Sequence, residues 1–199
     1  VVRPLVKASQ LALTGGYARR LNGQLAADLL RGPHDFVLEL GCGDAPWLRY
    51  VDPGRYVGLD VNGGWLEAAR RRHRRSAVEF IEADITTASL EPWRGADAVV
   101  CSRLFHHLGE AQIADLVARC FEQAQAQRIV CVDGVMTGPF RDALVWLDEG
   151  EPSRPKAELY GLLGRHAEVE ETWSFDVPFR TVNIFGFELR PKRQPRARP

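Results

Sequence analysis

The 199-residue chain lacks any bias of charge: 26 Lys and Arg stand against 26 Asp and Glu, a formal net charge of zero. That balance gives no general attraction to nucleic acid or to an anionic membrane, so a nucleic-acid partner is not expected. Long apolar runs are also missing. None approaches the roughly 20 residues of a membrane-spanning helix, and no basic-then-apolar signal segment opens the chain. Cysteine is scarce, and Cys42, Cys101, Cys120 and Cys131 form neither a CxxC pair nor a metal-finger spacing. They read as buried, reduced thiols of a cytoplasmic protein, with no metal site. Methionine is scarcer still: Met136 stands alone in a chain that opens on Val1, which leads us to expect a trimmed N-terminus or an alternative start.

What remains is ordinary globular composition, enough for one core. Residues 1–190 are expected to form one domain whose first 32 residues make a helical lid region. Pro191 to Pro199 (PKRQPRARP) reads as a loose tail. Short apolar strands are expected at Phe36–Leu40, Tyr56–Asp60, Val78–Ile81, Ala98–Cys101 and Ile129–Val132, apolar on both faces as in a covered parallel sheet. Helical patterns lie between them. Ala18 to Leu30 ends at Gly32-Pro33, Asn62 caps a helix through Trp65 and Leu66, and a third helix runs from Glu110 to about Gln127. Helices near Asp142–Asp148 and Pro155–His166 precede two strands, Val169–Val177 and Thr181–Leu189, joined so tightly that they pair antiparallel. The fold class is therefore α/β: a doubly wound, mostly parallel, seven-stranded Rossmann-like sheet ending in an antiparallel hairpin.

The chemistry concentrates at the carboxyl ends of these strands. Glu39-Leu40-Gly41-Cys42-Gly43-Asp44-Ala45-Pro46 places two glycines where the first strand turns into the first helix, so a ligand can approach bare backbone. A dinucleotide loop would want glycine at 46 to seat a pyrophosphate. Pro46 and the acid at 44 oppose that and suit a cationic ligand better. Asp60 ends the second strand, where a carboxylate can accept both hydroxyls of a ribose. Asp84 follows the third.

With these residues in place, the chain resembles the class I S-adenosylmethionine-dependent methyltransferases, most closely the small-molecule branch, over roughly Phe36 to Leu189. The resemblance implies S-adenosyl-L-methionine as cofactor and S-adenosyl-L-homocysteine as product. It implies that Glu39, Gly41, Cys42 and Gly43 cradle the methionine part. By the same resemblance Asp60 holds the ribose, Val61 lies beside the adenine, and Asp84 and Ile85 contact the adenine edge. Cys101-Ser102-Arg103-Leu104-Phe105-His106-His107-Leu108 is similar to the stretch that lines the methyl-donor pocket, which assigns Ser102 to the cofactor. Tyr17 is a candidate to close over it. Two departures stand out: Ala45 where a third glycine is common, and Arg103 where asparagine is frequent.

The implied reaction is in-line displacement of the methyl group by a hydroxyl or amine of a small acceptor. Alignment supplies much of the rate. A hydroxyl also needs a base, for which either His106 or His107 is the candidate. The chain has no Asn/Asp-Pro-Pro-Tyr/Phe motif and no Pro-Cys nucleophile after the fourth strand. Those absences oppose base-amine and pyrimidine chemistry. Acceptor walls are expected from Leu5–Tyr17, Ser102–Leu108 and Gly134–Glu151. Three alternatives stay open: a non-catalytic cofactor-binding scaffold, an RNA-modifying methyltransferase suggested by Arg70–Arg75, and a nicotinamide-dependent oxidoreductase.

Overall fold

The computed structural model describes residues 20–136, 154–176 and 182–192. Tyr17, the helix expected near 142–148 and residues 193–199 lie outside the described residues; Pro191, expected to open the loose tail, instead ends the last strand, paired with Ala167. Seven strands form one sheet: β1 (Phe36–Leu40), β2 (Arg55–Asp60), β3 (Val78–Glu82), β4 (Ala98–Ser102), β5 (Arg128–Met136), β6 (Ala167–Asp176) and β7 (Val182–Pro191). Their order is β3-β2-β1-β4-β5-β7-β6. The first five pair in parallel, and β7 inserts antiparallel between β5 and β6. The expected fold class is the one observed. Chain order reverses between β1 and β4, which makes their carboxyl ends the switch point where open α/β sheets bind ligands.

Among the described residues four helices cover the sheet: α1 (residues 20–30), α2 (Gly63–Arg72), α3 (Glu110–Glu122) and α4 (Lys156–Leu163). Leu21, Leu25 and Leu29 of α1 and Leu66 and Ala69 of α2 bury against one face with Val37, Val100 and Val130. Ile113, Leu116 and Val117 of α3 and Leu159, Leu162 and Leu163 of α4 bury against the other. Each fully buried leucine contributes roughly 1.5–3 kcal/mol. Asn62 caps α2 as expected, its side chain accepting from the Gly64 and Trp65 N–H groups. The third helix stops earlier than the expected Gln127. Gln125 takes a left-handed φ of 53°, and the Ala126 N–H turns back to the Cys120 carbonyl at 3.0 Å. This is a helix-ending turn that glycine usually marks, and glutamine hides it.

One buried cation locks the layers together. Arg128 of β5 donates to the Asp28 carbonyl (3.0 Å) and the Leu29 carbonyl (2.6 Å) at the end of α1, and to Glu188 of β7 (2.9 Å). The Asp28 carboxylate in turn accepts from Thr172 (3.0 Å) and from the Trp173 indole (2.7 Å) of β6. Arg128→Met is therefore expected to lower unfolding free energy by about 1.5–3 kcal/mol, because it removes charge-assisted hydrogen bonds from two helix-end carbonyls and one of the cations held against buried Glu188, which keeps Arg190. Urea denaturation checks this, and a loss below about 1 kcal/mol would contradict the lock.

Candidate functional site

The loop after β1 is built from left-handed turns. Gly41 has φ 70° and Gly43 φ 53°, and a Cβ added at Gly43 would meet nothing, so that face of the loop is open. Ala45 also sits left-handed, at φ 46°. That explains why glycine suits this position, and it stores about 1 kcal/mol or more of strain here. Four of the loop's N–H groups are satisfied internally. Gly41 and Cys42 donate to the Leu59 carbonyl at 2.8 and 2.9 Å, and Ala45 donates to the Cys42 carbonyl at 2.9 Å. Gly43 donates to Asp60 Oδ2 at 2.7 Å. A pyrophosphate needs just such donors, so this loop does not fit a dinucleotide.

What the loop offers instead is negative charge. Asp60 Oδ1 accepts from the Asn62 N–H at 2.8 Å, and each carboxylate oxygen keeps a second lone pair for a diol. Val61 beside it is 72% exposed, an apolar surface left open next to that diol site. Asp84 is exposed after β3. Its Oδ1 accepts from the Thr86 hydroxyl (2.7 Å) and N–H (2.9 Å), which hold its carboxyl below the usual carboxylate range. Oδ2 has no partner among the described residues. Arg119 of α3 fixes this loop, donating to the Ile85 and Ala88 carbonyls at 2.9 and 2.7 Å. Ile85 is buried and Ser102 half-buried at the end of β4. The acids, open glycine face and apolar edge fit a cationic adenosyl ligand.

Two assigned residues lie deeper than the resemblance implies. The Cys42 side chain is buried under the loop, which leaves only its backbone at the surface. Glu39 is 1% exposed; its carboxyl accepts from Trp47 Nε1 at 2.7 Å and from the Tyr56 hydroxyl. Burial pushes Glu39 up to about 8, against the lowering effect of those two hydrogen bonds. Glu39 therefore supports the loop from below.

Across the switch point, Arg103 is left-handed at φ 55°, a conformation asparagine tolerates better. Beyond it, His106 and His107 diverge. The His106 side chain is 17% exposed and its Nδ1 lies 2.8 Å from Asp133 Oδ1. Asp133 is buried within β5, one residue past its parallel pairing with β4, and also accepts from the Gly134 N–H at 2.8 Å. Both residues line a small void of about 10 Å³, room for about one water, with Phe105, Val135, Leu159, Phe185 and Arg154. His107 is exposed and does not line it. Asp133 escaped the sequence reading, although an acid directly after an apolar strand is the same signal that marked Asp60. Arg154 had no signal. Among the described residues no cluster of His, Cys, Asp and Glu could hold a metal ion, and no helix is long and apolar enough to cross a membrane.

Residues 37–127 match the family model described as a methyltransferase domain. A fatty-acid O-methyltransferase of Mycolicibacterium smegmatis is 35% identical over 68 residues, 32% of this chain and 24% of the relative. An uncharacterized methyltransferase of Mycobacterium tuberculosis is 33% identical over 85 residues, 39% of this chain and 40% of the relative. The chain thus spans less than half the length of these curated relatives. The N-methyltransferase NodS of Bradyrhizobium japonicum, solved with S-adenosyl-L-homocysteine, superposes with TM-score 0.69 at 18% identity, covering 88% of this chain and 87% of that one. The fold is that of the class I methyltransferases.

Glu39 generates a prediction. The folded carboxyl holds its proton to about pH 8, whereas the ordinary carboxyl releases it near 4.5. Stability conferred by a raised pKa is complete below the lower value and is lost as pH climbs to the higher, at about 1.4 kcal/mol per pH unit for one proton. Glu39→Gln is expected to match the wild-type melting temperature near pH 5 and exceed it at about pH 8. Parallel profiles of the two proteins would contradict the buried protonated acid.

Proposed function

We propose that this chain transfers the methyl group of S-adenosyl-L-methionine to a hydroxyl oxygen of a small acceptor bound at His106. The observation that carries this reading is the partly exposed His106 held by buried Asp133 beside the switch point. The cofactor assignment rests on the cradle: Gly41 and Gly43 provide open backbone, Asp60 two free lone pairs, and Asp84 an acceptor oxygen. When bound there, S-adenosyl-L-methionine supplies a methyl group already activated on a sulfonium.

The chain's own residues then need to align the acceptor, exclude water and remove a proton. Ionised Asp133 can only accept, so the Nδ1 of His106 carries the hydrogen and Nε2 is left with a lone pair. That tautomer is the one able to take a hydroxyl proton. Asp133 also stabilises the charge that His106 acquires, and its buried bond to the Gly134 N–H keeps the pair in register. Phe105, Leu159 and Phe185 pack behind the pair and keep bulk water from it, and the acceptor meets His106 from its partly exposed side. His107, on the exposed side of the same turn, does not line the cavity and is not assigned a proton-transfer role. The relatives' names divide between oxygen and nitrogen acceptors, and a paired histidine base favours oxygen. An amine needs only its free-base form.

The test uses acceptors that differ in acidity, with labelled S-adenosyl-L-methionine. On an alcohol or simple phenol, His106→Ala is expected to cut kcat by about 10²–10⁴-fold, and Asp133→Asn to cut it in the same direction. On a nitrophenol already ionised at the assay pH, both losses shrink, because no proton has to be removed. Equal losses on both acceptors would assign the pair to structure, and no loss on either would remove it from the reaction.

A further inference from the structure

A second concave feature lies at the far end of α2 from Asp60. Residues 48–52, after the short 3-10 turn Pro46–Arg49, face residues 72–75 across a groove of about 340 Å³. That volume lies within the range of small-molecule sites. Arg49 stands on one wall and Arg72, Arg74 and Arg75 on the other, and the one acid lining it is Asp52, paired with Arg75. In a chain of zero net charge this is a local concentration of cations. The helix dipole accounts for basic residues in the last turn of α2. It does not account for Arg49, Arg74 or Arg75, which lie outside that helix.

Two of the guanidinium groups are held in place. Arg72 pairs with Asp44 and also donates to the Asp44 carbonyl at 3.1 Å. Arg75 donates to the Leu48 carbonyl at 3.3 Å besides its pair with Asp52. Each guanidinium has five N–H donors, so both keep donors for a further acceptor. Between the walls sits the half-buried His73, whose ring lies against Phe80 and whose Nε2 is buried without a hydrogen-bond partner. Burial lowers the His73 pKa, and Arg72, Arg75 and Arg49 lower it further. Positive charge from both walls therefore converges on one point.

We propose that this groove binds a small ligand through its phosphate groups, with arginines of both walls supplying the donors. The fork of an arginine matches phosphate oxygens, and several cations around one cavity call for more than a single negative charge. A nucleic-acid track would need successive stacking aromatics. The groove has one exposed aromatic, Tyr50.

The probe is inorganic pyrophosphate, titrated calorimetrically into the full chain at low salt. Wild type is expected to bind it. The double variant Arg49→Ser, Arg74→Ser is expected to lose at least about tenfold in affinity, in line with charge-assisted contacts of this kind. Both side chains are exposed and neither makes an ion pair among the described residues, so an unchanged melting temperature and unchanged S-adenosyl-L-homocysteine affinity are expected alongside. A parallel titration with adenosine diphosphate separates the sources. Tighter binding than pyrophosphate assigns a nucleotide, with Tyr50 against its base; equal binding assigns a free polyphosphate. Failure of wild type to bind pyrophosphate overturns the proposal, as does equal affinity in the double variant. Binding of a ten-residue oligouridylate in place of pyrophosphate overturns it in favour of nucleic acid. None of these outcomes depends on the methyl-transfer reading.

Discussion

The hydrogen bond from the Gly43 N–H to the Asp60 carboxylate, 2.7 Å long, joins the two strand ends on which the whole site is built. It closes a loop of left-handed residues that glycine alone adopts without strain. It also presents Asp60 to the solvent cleft with its remaining lone pairs outward. The same bond consumes a loop donor that a phosphate would otherwise use. Below it, Glu39 takes the hydrogen bonds of Trp47 and Tyr56 and carries the loop on a buried acid. One constraint thus sets the loop's shape, the orientation of its acid and its preference for a cation over an anion.

Neutral overall charge conceals a division of sign along α2. At its start is Asp60 and, across the strand ends, Asp84; at and beyond its end are the arginines of the groove. The first region fits a cationic adenosyl ligand and the second an anionic one. Between β4 and β5, the His106–Asp133 pair adds a proton acceptor beside the first region, in an apolar surround. The proposed cofactor, acceptor and anion sites therefore occupy separate elements of one sheet and its helices.

The fold was largely legible because the covered strands are written as apolar runs, and their acids follow at regular positions. Asn62 announced its cap, and Asp60 and Asp84 their strand ends. Less legible were features set by long-range contacts. Glu39 stands in a motif whose residues suggest contact with a ligand, yet Trp47 and Tyr56, 8 and 17 residues away, draw it inward. Two adjacent histidines carry no signal of which faces inward; Asp133, 27 residues from His106, decides it. The end of α3 was hidden because Gln125 takes a conformation that composition assigns to glycine. The run Arg70–Arg75 suggested a nucleic-acid alternative, and the opposing wall at Arg49 makes a groove of it.

The central claim is that the β1 loop and its acids hold an adenosyl cation and not a dinucleotide. Calorimetric titration of the wild-type chain with S-adenosyl-L-homocysteine and, in parallel, with NAD tests it most directly. Saturable binding of S-adenosyl-L-homocysteine is expected in the micromolar range, about −8 kcal/mol, and unchanged when the titration is repeated in the presence of NAD. Displacement of S-adenosyl-L-homocysteine by NAD, or no binding of S-adenosyl-L-homocysteine, would contradict it.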